Sequence, residues 1–205
     1  MLAKLLIVAF AITFCCICNG CTAEISAAAA AASPKLSDDE QAKLDQTMQR
    51  IENASDDDME KVLKQMATGG SDALKQAVDG IIKTTNEGYE FFKKVVDEAS
   101  THLSPKASQK LQNQKQLVFD RKLSQEEFDK KLAAIESNPD VEEELKSANL
   151  DKRIFDFQSF ADNFFELDKN NDGFVSLEEL SSEQAKKADI NGDGKLSPYE
   201  YVRMG

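Results

Sequence analysis

Two twelve-residue segments near the end of the chain constrain its fold more than any other feature. The first runs DKNNDGFVSLEE from Asp168 and the second DINGDGKLSPYE from Asp189, 21 residues further on. They agree position by position. Position 1 is Asp168 or Asp189, position 3 Asn170 or Asn191, and position 5 Asp172 or Asp193. Position 6 is Gly173 or Gly194, position 7 Phe174 or Lys195, position 9 Ser176 or Ser197, and position 12 Glu179 or Glu200. Short oxygen-bearing side chains at every second position, with glycine at the sixth, describe a tight loop whose oxygens turn inward.

A hard divalent cation that takes six to eight oxygens calls for such a loop. Positions 1, 3 and 5 supply short side-chain oxygens. Position 6 needs a left-handed backbone, which glycine adopts without steric cost. Position 7 gives only its backbone carbonyl, so Phe174 and Lys195 can differ. Position 9 acts through a water, and position 12 reaches back from a helix with two oxygens. Ser176 and Ser197 also stand where an N-cap belongs, each with glutamate three residues on, and Pro198 falls at a first helical position. Val175 and Leu196, at position 8, are placed to form a short bridge between the loops.

These loops resemble the EF-hand calcium loop at every diagnostic position, twice in tandem. The resemblance covers about residues 154–205 and implies two calcium ions. Nine residues separate Glu179 from Asp189, so the helices between the loops are compressed. Close pairs of this kind are similar to those of secreted and compartment-lumen EF-hand proteins.

Charge agrees with a cation-collecting protein. The 205 residues include 37 Asp+Glu against 25 Lys+Arg, a formal net charge of −12. That balance argues against nucleic acid or an anionic membrane as partner. The first residues, MLAKLLIVAFAITFCCICNGCTA, hold one charge, Lys4, and an apolar run of 14 residues from Leu5 to Cys18. The run is short for a membrane span of about 20 residues. We read residues 1–23 as a signal peptide cut before Glu24, with a single membrane anchor as the alternative. Cys18-Asn19-Gly20 before Cys21 fits a bacterial lipoprotein signal badly. The four cysteines, Cys15, Cys16, Cys18 and Cys21, all precede that cut. A secreted mature chain would then have no disulfide, zinc site or thiol nucleophile.

Residues 24–34, rich in alanine, read as a low-complexity leader. From there the pattern is helical, and the expected fold is all-α: a helical domain over 35–148 and a compact EF-hand pair over 149–205. Leu44, Met48 and Ile51 follow a Ser37…Glu40 capping box. Met59, Val62, Leu63 and Met66 form the next stripe, closed by Gly69-Gly70. Ser71 opens a long segment from Leu74 to Val96, with Gly80 and Gly88 weak points that leave open one helix or two. Ser104-Pro105, Ser124…Glu127 and Asn138-Pro139 each open another helix, with Leu123 placed to staple onto Phe128. LSDDEQAKL from Leu36 lines up with LSPKASQKL from Leu103, and SDDDMEKVLKQM from Ser55 with SQEEFDKKLAAI from Ser124. The offsets of 67 and 69 residues fit a duplicated two-helix unit, or simply two pairs of serine-capped amphipathic helices. The KLSQEEFDKKL unit and its surroundings, Leu103 to Ala148, also resemble the SXP-type secreted helical antigens of nematodes, a family without a catalytic motif.

Other residues carry weaker signals. His102 is the sole histidine, with no nucleophile or carboxylate pairing to suggest catalysis, so no enzyme is expected. Asn53-Ala54-Ser55 is a glycosylation sequon in an inter-helix turn. Asp56-Asp57-Asp58 reads as a first-turn acidic cluster rather than a metal site. Phe157, Phe160, Phe164 and Leu167 share one helical face, while Phe155 and Phe165 point elsewhere, to pack on preceding helices or to meet a partner. The sequence leaves two functions open: a calcium-loaded binding or structural module with a protein partner, or a helical carrier of an apolar ligand such as lipid, with calcium as a structural cofactor.

Overall fold

The computed structural model describes residues 36–135, 138–150, 157–180 and 183–204. The proposed signal peptide, the leader and Phe155 lie outside them. The described chain is all-α apart from two two-residue strands. Its helices begin with α1 (Asp38–Ile51), α2 (Asp56–Ala67), α3 (Asp72–His102) and α4 (Pro105–Phe119). Then come α5 (Gln125–Ala133), α6 (Pro139–Ser147) and α7 (Phe157–Leu167). The chain closes with β1 (Val175–Ser176), α8 (Leu177–Leu180), α9 (Glu183–Ala188), β2 (Lys195–Leu196) and α10 (Pro198–Met204).

The serine caps explain most starts. Ser37 and Glu40 make a reciprocal capping box, as do Ser124 and Glu127. Ser55 caps α2, and Asn138 caps α6 ahead of Pro139. Ser104 caps α4 by accepting from the Ala107 N–H. Position N3 of α4 is alanine, so the other half of that box comes from α6: Glu144 accepts from the Ser104 N–H and hydroxyl, each at 2.6 Å. Satisfied first-turn donors of this kind are worth about 1 kcal/mol each.

The third segment forms one helix rather than two. α3 runs unbroken through Gly80 and Gly88 for 31 residues. Two glycines cost a helix about 2 kcal/mol, less than the burial of Leu74, Val78, Tyr89, Phe91, Phe92, Val95, Val96 and Ala99 along it returns.

The described chain divides into two compact units. One takes the chain through Thr85 with Arg121–Asp129, the other Asn86–Asp120 with Lys130–Gly205. The division passes through α3. The first unit closes over Leu44, Met48, Ile51, Met59, Leu63, Ala67, Leu74 and Val78. Residues 121–129 belong to it through backbone bonds from Asp57 N–H to the Arg121 carbonyl and from Gln125 N–H to the Asn53 carbonyl, and through the Arg121–Glu60 ion pair at 2.8 Å. Asn53 is exposed in its turn, as the sequon would require.

Glu40 yields a prediction for this unit. Hydrogen bonds from Ser71, and then from Ser37, hold its carboxyl down at about 2, from an ordinary 4.5. A depressed carboxylate adds stability above its unfolded value of 4.5, and that stability is lost as pH falls through 2. An NMR acid titration should place the Glu40 midpoint near 2, and Ser71→Ala should move it up toward 4.5. An unmoved midpoint in that variant would show that the Ser71 hydroxyl, as distinct from its N–H, does not hold the charge.

In the second unit, aromatic rings join the last half of α3 to α7 and α10. Phe92 meets Phe157 at 5.1 Å between centroids, Phe91 meets Phe164 at 5.3 Å, and Phe164 meets Tyr201 at 5.5 Å. Phe165 lies 6.2 Å from Phe91, so it packs on a preceding helix. The buried face of α7 differs from the expected one: it is Phe157, Ala161 and Phe164, while Phe160 and Leu167 are half-buried. Both sets keep helical spacing; the face that meets the core is turned so that Ala161 is buried and Phe160 sits at its edge.

Candidate metal centre

Asp168 follows directly on α7, and its N–H donates to the Phe164 carbonyl. The aromatic packing of α7 therefore anchors the first loop. Asp168 is buried, and its two carboxylate oxygens accept from the Asp172 N–H at 3.1 Å and the Gly173 N–H at 2.8 Å. Asn170 Oδ1 accepts from the Asp172 N–H at 2.9 Å, and Asp172 Oδ1 from the Phe174 N–H at 3.0 Å. The second loop repeats the scheme. Asp189 accepts from the N–H groups of Gly192, Asp193 and Gly194 at 2.7, 3.2 and 3.0 Å, Asn191 from that of Asp193 at 2.8 Å, and Asp193 from that of Lys195 at 2.9 Å.

Gly173 and Gly194, at position 6, have φ of +84° and +81°. Position 4 is also left-handed, at Asn171 with φ +54° and Gly192 with φ +72°. Position 4 carries no ligand and so no chemical signature, although asparagine and glycine are the types that tolerate this backbone. β1 and β2 pair antiparallel, Val175 opposite Leu196 and Ser176 opposite Lys195. The bridge expected at position 8 is therefore present, and the Leu177 N–H adds a bond to the Gly194 carbonyl at 3.1 Å.

Tandem loops of this geometry, back to back across a two-residue bridge, mark one known arrangement. Residues 161–204 carry a tandem EF-hand pair. The EF hand family model matches residues 161–182 and 186–204. No curated protein and no solved structure matches the chain.

Within the pair, Glu200 is buried at 2% exposure. One of its oxygens accepts from the Ile190 N–H at 2.8 Å and the other from the Ser197 N–H at 3.0 Å, while Ser197 Oγ caps the Glu200 N–H at 3.2 Å. Position 12 is thus already turned back onto its own loop. Glu179 lies in α8, but its side chain is outside the described residues. Phe174 is exposed at 40%, in keeping with a position that offers only its carbonyl. Among the described residues, no three Asp, Glu, His or Cys side chains are gathered at one point. An EF-hand does not need that: amide, hydroxyl and carbonyl oxygens make up much of its shell, and here the acidic oxygens are held by loop N–H groups. The donor set and backbone fit calcium.

Each loop meets a charge from outside itself. Lys195 Nζ, from the second loop, bonds Asp172 Oδ2 of the first at 2.8 Å and lies 5.4 Å from the centre of the Phe174 ring. That bond pulls the Asp172 carboxyl below its usual value and raises Lys195. From α3, Glu98 Oε1 accepts the Ser197 hydroxyl at 2.7 Å. Burial pushes the Glu98 carboxyl up, and the neighbouring charges of Glu200 and Asp193 add to this; the Ser197 bond and His102 oppose it. His102 stacks on Tyr199 at 5.5 Å. The sequence carries no sign of the role of Glu98, which is 99 residues away from Ser197.

Proposed function

We propose that this is a secreted, non-catalytic calcium-binding protein whose ions mainly stabilise a binding or structural module. The observation that carries the reading is the pair of loops with matching oxygen donors, joined back to back. At each loop the ion would be held by positions 1, 3, 5, 7, 9 and 12: Asp168, Asn170, Asp172, Phe174, Ser176 and Glu179, then Asp189, Asn191, Asp193, Lys195, Ser197 and Glu200. Calcium supplies a fixed charge that replaces repulsion among loop carboxylates with shared coordination. Among the described residues no helix is long and apolar enough to cross a membrane. Exposure of Asn53 supports glycosylation there in a secretory route.

Calorimetry tests the binding. Each loop has three ligating carboxylates, because position 3 is asparagine in both. That ligand charge predicts two ions with Kd of about 10⁻⁵ to 10⁻⁴ M, between sensors and extracellular modules. Glu179→Gln and Glu200→Gln should each remove one ion. Nanomolar affinity, or a stoichiometry of one in the unaltered chain, would refute the assignment.

A further inference from the structure

The two loops are alike in every ligating side chain and unlike in what surrounds them. α3 carries Lys94 and Glu98 four residues apart, hence on one helical face. Glu98 accepts the hydroxyl of Ser197, the position 9 residue of the second loop. Lys94 Nζ lies 3.7 Å from the point where a Cβ on Gly173 would sit, beside the first loop. Lys195 adds a second cation there: its backbone belongs to the second loop, but its ammonium bonds Asp172 of the first. The first loop therefore has two neighbouring cations and the second an additional carboxylate.

We propose that the two loops bind calcium in order, Asp189–Glu200 first and Asp168–Glu179 second, with Glu98, Lys94 and Lys195 setting the order. The inference rests on the calcium reading above and deepens it. Ser197 donates its proton to Glu98 and accepts from the Glu200 N–H. Glu98 thereby fixes the hydroxyl that positions the water at position 9, and adds negative charge close to the ion. At the first loop, calcium must share Asp172 with an ammonium or displace it. A doubly charged ion feels each neighbouring unit charge twice as strongly as a single charge would, and after screening each of these groups is worth about two- to threefold in affinity, about tenfold together.

The test is a calcium titration of the full chain, followed through the amide protons of Gly173 and Gly194. Each of these donates to the position 1 carboxylate of its own loop, so each reports its own site. Gly194 should complete its shift at a calcium concentration about tenfold below that of Gly173. Glu98→Gln should weaken the Gly194 transition about two- to threefold and leave Gly173 in place. Lys195→Met should tighten the Gly173 transition by a similar factor. If Glu98→Gln unfolds the unit, circular dichroism will show it, and the Lys195→Met arm, at an exposed side chain, decides alone. Coincident transitions, or Gly173 shifting first, overturn the inference. No shift at either glycine overturns the calcium reading itself, and the inference falls with it.

Discussion

Chelating calcium is expected to lower the melting temperature of the unit that carries the loops by about 10–20 °C and to leave the other unit unchanged. At a free calcium of about 10⁻³ M, each site is about 10 to 100 times above the Kd argued here. Mass action then contributes about 1.4 to 2.7 kcal/mol per site, or about 3 to 5 kcal/mol for two. For a unit of about 100 residues, that corresponds to the stated temperature shift. Nothing covalent compensates, because all four cysteines lie between residues 15 and 21. The effect should reach beyond the loops. Asn86–Asp120 belongs to the same compact unit, Ser197 is bonded to Glu98, and Phe91 packs on Phe164. Hydrogen exchange should therefore quicken along α7, α10 and the half of α3 from Asn86, while α1 and α2 keep their protection. Equal protection of Phe160 to Tyr201 with and without chelator would sink the stabilising role. Altered protection at Leu44 or Leu63 would show that the ion controls both units.

What could be read from the sequence was local. The loops announce themselves because position 6 fixes a backbone conformation and positions 1, 3, 5 and 12 fix a chemistry, all within twelve residues. The helix starts were legible for the same reason: Ser37, Ser55, Ser104 and Asn138 satisfy donors two or three residues away. Longer-range decisions were hidden. Gly80 and Gly88 look like a break, and only the buried face of α3 shows why the helix continues. The division through α3 depends on which distant apolar faces meet it, and no composition shift marks that point. Glu144 completing the cap of α4 from 40 residues away, and Glu98 reaching Ser197, are tertiary facts with no local signature. The buried face of α7 lay between the two cases: its helical period was visible, but the choice of Ala161 over Phe160 was not.

Phe164→Ala should be the most damaging single substitution in the calcium-binding unit. The ring is about 1% exposed and touches Phe91, Phe165 and Tyr201 at centroid distances of 5.3, 5.8 and 5.5 Å. Those partners come from α3, α7 and α10, so one side chain ties the helix entering the first loop to the helix leaving the second. Emptying such a site removes transfer energy and leaves a cavity among rigid rings, at a cost of about 3–5 kcal/mol. The backbone carbonyl of the same residue accepts from the Asp168 N–H, so the first ligand loses its anchor as α7 loosens. Calcium affinity should fall with stability, because the competent fraction divides the intrinsic constant. Phe160→Ala, at a half-buried position one turn earlier, is the matched control and should cost about half as much or less. Denaturant unfolding of both variants in calcium and in chelator separates the effects: calcium should recover part of the loss in Phe164→Ala by mass action, and its chelated form should already be open at low denaturant. A Phe164→Ala loss below about 1 kcal/mol would place the core of this unit elsewhere and remove the link between ring packing and the metal loops.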